Sequence, residues 1–215
     1  CGAYISTRDD HGEVHIVALG IDPDHPDLSG PLSRNVAIRV ERADCILDHV
    51  HARTGVRVAR ADCRDGEARM ITRSHIAGAL VRAGVVAHRH QAFAELLGDD
   101  IVDAVYRPAF PTPERAAAAI AAAGGVSVLA HPGLYGDIHR IDAVMRHCRG
   151  IEIKHPHLDP ALQAFLARRA AESGWLLSCG SDFHVEPCRL GDWRLSRSQA
   201  MPLLRAAGWV DPIRG

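Results

Sequence analysis

The six cysteines of this 215-residue sequence (Cys1, Cys45, Cys63, Cys148, Cys179, Cys188) include no Cys-x-x-C pair, which excludes a thiolate-built structural zinc site and reads as reduced thiols. An excess of either charge is also missing. The formal net charge is -1, so no basic face argues for duplex DNA or an anionic membrane surface, while phosphate binding through a few local cations stays open. Long hydrophobic runs are absent: "ERAAAAIAAAGGVSVLA" is broken by two glycines and too short to span a membrane, and reads as a helix running into a strand. No basic-then-apolar leader opens the chain, which gives a cytoplasmic expectation. The first residue is Cys1 and not Met, so the natural N-terminus is expected upstream. Three tyrosines and three tryptophans stand against fourteen histidines, the one compositional excess. With 47% hydrophobic residues the chain is long enough for one sizeable core or two small ones.

The opening "AYIST" and "EVHIVALGID", separated by the charged "RDDHGE", predict a hairpin of two strands. "DPDHPDLSGPLS" reads as a loop rich in proline, aspartate and glycine. From Asn35 to Thr54 the apolar residues Val36, Ile38, Val40, Ile46, Leu47 and Val50 fit a helix, and two more follow in "SHIAGALVRAG" and "RHQAFAELLG". This block contains no convincing strand. After "YRPAFPTPE" the rhythm becomes helix then strand, three times over: into "VSVLAHP", into "GIEIKHP" and into "WLLSCGSDFH". Helices that end in glycine and feed short apolar strands are the mark of βα units around a parallel sheet or barrel.

Each of those strands carries polar residues at its C-terminal end: His131, then His155 and His157, then Asp182 and His184. Active sites of parallel α/β folds collect at that end of the sheet. Neutral imidazole and carboxylate suit zinc, manganese or iron, so His131, Asp182, His184 and the strand residue His15 are candidate metal ligands. The competing reading of each one is a capping or hydrogen-bonded loop residue. Three successive strand ends bearing histidine argue for the shared site.

In order, "GAYIST", "HIVALGID", "SHIAGALVRAG", "QAFAELLG", "GGVSVLAHPG", "GIEIKHPH", "GSDFH" and the Leu190-Gly191 pair resemble the PHP (polymerase and histidinol phosphatase) domains of the amidohydrolase-like superfamily. The branch they look most like is that of nucleoside 3',5'-bisphosphate phosphatases and 5'-to-3' exoribonucleases. The resemblance implies a distorted (β/α)7 barrel, here incomplete at its N-terminal strands, formed by 1–32 and 111–215, with a helical insertion on the substrate side at 33–110. It implies two or three divalent ions, manganese first and magnesium or zinc as options, and hydrolysis of a phosphate ester by a metal-bound hydroxide. Carried over by position, His15, His131, Asp182 and His184 are metal ligands, with Asp182 and His184 also in catalytic roles. Arg73 and His75 fall where the family contacts substrate phosphate, a placement that suits a guanidinium near a helix N-terminus. Arg107 and His157 are further phosphate candidates. The implied partners are a nucleotide or short RNA, with neither duplex DNA nor membrane.

Two features depart from that pattern. The family's H-x-H strand end, its aspartate and its "DH" pair precede the point where this chain begins, and its bridging glutamate falls on Tyr4. A phenol is neutral at pH 7 and a poor stand-in for a carboxylate between two cations. A chain without the first barrel strands also exposes sheet edges, which self-association would cover. Two functions therefore stand side by side: a PHP-type metallophosphatase, and a catalytically impaired remnant that binds phosphate or a partner. Hydrolysis of a C–N bond is a third, disfavoured because "SHIA" and "KHPH" resemble the phosphatase branch.

Overall fold

The computed structural model describes residues 1–63, 71–182 and 191–209. They divide into two compact units, 1–32 with 111–215, and 33–110.

The first unit is built on a five-stranded sheet. Strands β1 (Gly2–Asp9) and β2 (Gly12–Leu19) form the expected hairpin around Asp10 and His11, pairing from Gly2 opposite Leu19 to Asp9 opposite Gly12. Strand β3 (Val126–Leu129) runs antiparallel to β2, with Ile16 opposite Leu129. Strands β4 (Gly150–Lys154) and β5 (Leu176–Cys179) continue parallel to β3, so the spatial order equals the chain order. Alternation along the hairpin sorts its residues by face. Ile5, Val14, Ile16 and Ala18 are buried in the main core with Leu129, Ile151 and Ile153 of the parallel strands.

Three helices cover that core face. They are Pro113–Ala122 before β3, Ile138–Met145 before β4 and Pro160–Ser173 before β5, contributing Ile120, Ile141, Val144, Met145 and Leu166. Each starts where its sequence supplies a cap: Thr112 accepts from the Arg115 amide, Asp137 from His139, and Asp159 from Ala161 and Leu162, with proline opening the first and third. The opposite face of the sheet holds a smaller cluster, in which Val126 and Val128 pack with Leu203 and Ala207 of the helix Arg197–Ala206 and its C-cap.

The second unit is helical, and its described residues contain no strand. Its core joins Ile46, Leu47 and Val50 to Ile76 and Leu80, and to Leu96, Leu97 and Val102. The first helix is longer than the sequence pattern predicts. It runs Pro26–Thr54 and takes in most of the proline-rich stretch expected as a loop. Pro26 occupies the first helical turn, where proline costs no hydrogen bond, and Leu28 is fully buried in the sheet unit's core. Packing there outweighs the breakers Gly30 and Pro31. "RHQAFAELLG" also departs from a plain α-helix: Arg89–Ala92 is α-helical, Phe93–Leu97 winds as a π-helix, and a further helix, Asp99–Val105, follows Gly98. No described helix is long and apolar enough to cross a membrane.

Candidate metal centre

Tyr4 and His15 share the sheet face opposite the core. His15 pairs with Ser6, which puts Tyr4 one diagonal step away, within reach of a long side chain. On the next strand the His15 carbonyl accepts from the Ala130 amide, and the chain then turns at His131 into left-handed geometry with φ 31°. These three side chains meet. The Tyr4 hydroxyl lies 2.8 Å from His15 Nδ1 and 2.6 Å from His131 Nε2, and the two ring nitrogens are 3.0 Å apart.

Partners around the cluster fix its orientation. His15 Nε2 donates to Glu13 Oε1 at 2.7 Å, two residues back on the same face, and the His15 amide donates to the Tyr135 hydroxyl at 3.0 Å. A carboxylate behind an imidazole is the arrangement that orients metal-binding histidines. The His131 amide donates to Glu152 Oε2 at 2.7 Å. His131 is 5% exposed, and burial together with the neighbouring His15 pushes its pKa down to about 4, so the ring is neutral at pH 7. Its Nδ1 is buried and has no partner among the described residues. Burial, with the Asp182 charge adding to it, raises Glu152 to about 7 against the opposing amide bond from His131.

His155 continues the row. Its ring centroid is 5.6 Å from that of His131 and 5.3 Å from that of His157. Its Nδ1 accepts from the His157 amide, which leaves Nε2 as a buried N–H donor without a partner among the described residues. Burial takes His155 down to about 4, with nearby Asp182 acting in the other direction. Two glycines allow this crowding. A Cβ on Gly133 would overlap the His157 carbonyl, and one on Gly180 would overlap the Glu152 carboxylate. Asp182, like His131, sits in left-handed backbone, with φ 46°.

Of the ligands expected from the sequence, His15 and His131 are in contact, and Asp182 lies within electrostatic range of His131 and His155. His184 lies outside the described residues. Among the described residues no three His, Cys, Asp or Glu side chains form a ready-made metal cage. The third donor here is a phenol. Exposed His157 touches the site through the His155 ring. The remaining phosphate candidates belong to the helical unit. Arg73 donates to Asp99 Oδ1 at 2.5 Å and to the Leu97 carbonyl at 3.2 Å, and its guanidinium lies over the Phe93 ring. His75 closes a capping box with Thr72 at the N-terminus of Arg73–Arg82, while Arg107 is exposed. Sequence reasoning passed over Glu13, Tyr135 and Glu152 as site residues and named His155 as a strand-end residue without giving it a role. Glu13 was accessible to it, since residues i and i+2 of a strand share a face.

Comparison with known proteins carries the identification. The chain is 32% identical over 196 residues to a 5'-3' exoribonuclease of Haemophilus influenzae, matching 87% of this chain and 69% of that protein. It is 34% identical over 198 residues to a 3',5'-nucleoside bisphosphate phosphatase of Chromobacterium violaceum, matching 86% and 67%. The chain belongs to the PHP family. It spans about two thirds of the length of these relatives, and 65% of the similar 5'-3' exoribonuclease Rnm of Escherichia coli. Solved structures similar to this PHP chain include a candidate metal-dependent phosphoesterase from Bifidobacterium adolescentis, at TM-score 0.83 and 28% identity over 99% of this chain and 77% of that one. An amidohydrolase from Chromobacterium violaceum, solved with bound SO4 and no metal, follows at TM-score 0.82 and 28% identity, covering 96% and 75%. No family model matches the chain.

Proposed function

We propose that this PHP chain contributes the site of a metal-dependent phosphoesterase acting on a nucleoside 3',5'-bisphosphate or the end of a short RNA. The observation that carries the reading is the convergence of His15 Nδ1 and His131 Nε2 at 3.0 Å, with Glu13 behind one ring and, on the other, a buried Nδ1 that has no partner among the described residues. These residues fit a cation. Asp182 and His184 are assigned as its further ligands and as the groups nearest the chemistry. A divalent ion, manganese by preference and magnesium or zinc as options, would supply a hydroxide and polarise the phosphoryl oxygen when bound. The chain's own part is to hold and orient the substrate. Buried His155 offers an N–H for a phosphoryl oxygen, and exposed His157 stands beside it. Arg73, His75 and Arg107 are assigned to the substrate's other phosphate. In this reading the five strands are a portion of the family's (β/α)7 barrel, 33–110 is its helical insertion on the substrate side, and the edge strands β1 and β5 are where self-association would occur.

The test combines metal content with turnover. Protein purified with manganese and dialysed is expected to retain metal by elemental mass spectrometry and to release phosphate from adenosine 3',5'-bisphosphate or a 5'-phosphorylated oligoribonucleotide, with His131→Ala losing both properties. Tyr4 motivates a second reading, the impaired remnant. Metal retained without turnover of either substrate would favour that reading and overturn the first.

A further inference from the structure

We propose that Arg140 is a positioning residue of the metal site, because it holds both of the residues that orient His15. The helix Ile138–Met145 starts at its Asp137 cap and carries Arg140 in its first turn, against the tip of the β1–β2 hairpin. There the guanidinium makes a forked bond to Asp9, Nε donating to Oδ2 and Nη2 to Oδ1, both at 2.9 Å. Its reach does not end at that carboxylate. Nη2 also donates to the Glu13 backbone carbonyl at 3.3 Å, and the guanidinium carbon lies 5.1 Å from the centre of the Tyr135 ring. Glu13 and Tyr135 flank His15: the Glu13 carboxylate is 2.7 Å from its Nε2, and the Tyr135 hydroxyl accepts from its amide at 3.0 Å. The Tyr135 ring also stands 5.6 Å from that of His131.

An ion pair that only fastened the hairpin tip would stop at Asp9. The contacts beyond Asp9 favour positioning, because one falls on the backbone of Glu13 and the other on the ring whose hydroxyl meets the His15 amide. Residues i and i+2 of a strand share a face, so a shift of the Glu13 backbone carries its carboxylate and the His15 ring with it. The pair is also enclosed: the Arg140 and Asp9 side chains are 12% and 19% exposed, and a forked guanidinium–carboxylate bond fixes direction as well as distance. Lysine cannot stand in, since a point charge on a flexible stem has neither the fork nor the flat face that lies over Tyr135.

The inference rests on the His15–His131 cluster being a metal centre, but the placement of His15 is readable without metal. The experiment measures amide hydrogen exchange of the metal-free full chain by NMR, the urea midpoint, and manganese retained after dialysis by elemental mass spectrometry, in R140K, R140M and D9N/R140M. R140K keeps a cation for Asp9, and D9N/R140M removes the half-buried charge that R140M leaves alone, so both are expected to keep the fold. In both, the His15 amide is expected to exchange at least about tenfold faster than in the parent, with the other amides of β2 and β3 at parent rates, and manganese to be held about tenfold more weakly. A merely structural ion pair gives another result: D9N/R140M would recover parent exchange at His15 and parent metal retention together with its urea midpoint, which overturns the inference. Parent-like exchange at His15 in R140K overturns it as well. A parent that retains no manganese removes the metal-centre reading, and exchange at His15 then decides by itself whether Arg140 positions that residue.

Discussion

Replacing Gly180 with alanine tests whether the buried carboxylate of Glu152 holds the metal-site loop in place. The added Cβ would overlap Glu152 Oε1 and lie 3.1 Å from Cδ, so the carboxylate has to move. It has little room. Glu152 is 8% exposed, and its other oxygen accepts from the His131 amide at 2.7 Å. Displacement removes a hydrogen bond worth about 0.5–3 kcal/mol, depending on how far Glu152, with its pKa raised to about 7, is ionised, and leaves a buried amide unpaired. Gly180→Ala is therefore expected to cost about 2–4 kcal/mol. At a urea slope of about 2–3 kcal/mol per molar, that is a midpoint lower by roughly 1 M, read by tryptophan fluorescence. Glu152→Asp withdraws the carboxylate from the glycine, so the same alanine should cost much less in that background, with a coupling of at least about 1.5 kcal/mol. A Gly180→Ala protein within about 0.5 kcal/mol of the parent, or an equal cost in both backgrounds, would refute the reasoning.

Glu13→Gln should weaken divalent-metal binding about 10- to 100-fold, measured by elemental mass spectrometry after dialysis against graded metal, because the amide no longer fixes the His15 proton on Nε2, while the urea midpoint stays close to that of the parent. Cysteine reactivity sorts by burial: exposed Cys1 should react quickly with a thiol reagent at pH 8, whereas Cys63 and Cys148 react only on unfolding. Burial raises the Cys148 thiol to about 12, so almost no thiolate is present. Asp9 gives the pH prediction. Burial works against its ionisation, but the paired bonds from Arg140, both 2.9 Å, and the guanidinium charge bring its pKa below the ordinary 3.8. That stabilisation is complete above the unfolded value of 3.8 and is lost as pH falls through the folded one, so acid unfolding scans should show a slope there that Asp9→Asn lacks.

Strand periods and turn chemistry were readable from the sequence. "AYIST" and "EVHIVALGID" form the expected hairpin, and the three helices feed strands β3, β4 and β5 as their pattern predicts, the first and third ending at Gly124 and Gly174 and the second at Arg146. The proline-rich 26–32 stretch was not readable, because what holds it helical is Leu28 in a core assembled from distant strands. His131 and His155 were legible as strand-end residues of chemical interest, and His15 as a residue within a strand. Glu152 was not, nor was the burial of His155, since both depend on loops that approach closely at Gly133 and Gly180, a packing fact without local signature. Arg73 was legible as a cation at a helix start, yet its ties to Asp99 and Leu97 come from residues more than twenty positions away.

Tyr4 is the residue on which pattern and geometry pull apart. By the resemblance it falls where the family has a glutamate; placed by register, it is an oxygen within 2.8 Å of both imidazoles. Register is what makes the difference, because the side-chain period of a strand is two and a slip of one residue exchanges its faces. Ile5 opposite Ile16, both almost wholly buried, fixes the pairing, and Tyr4, Glu13 and His15 then have no choice but the other face. The same hydrophobic residues that close the core thus set the donor geometry. A substitution that loosens the hairpin core, on the face of the sheet opposite these side chains, should displace all three before it unfolds the sheet, and loss of metal retention ahead of loss of structure in Ile16→Ala would be its signature.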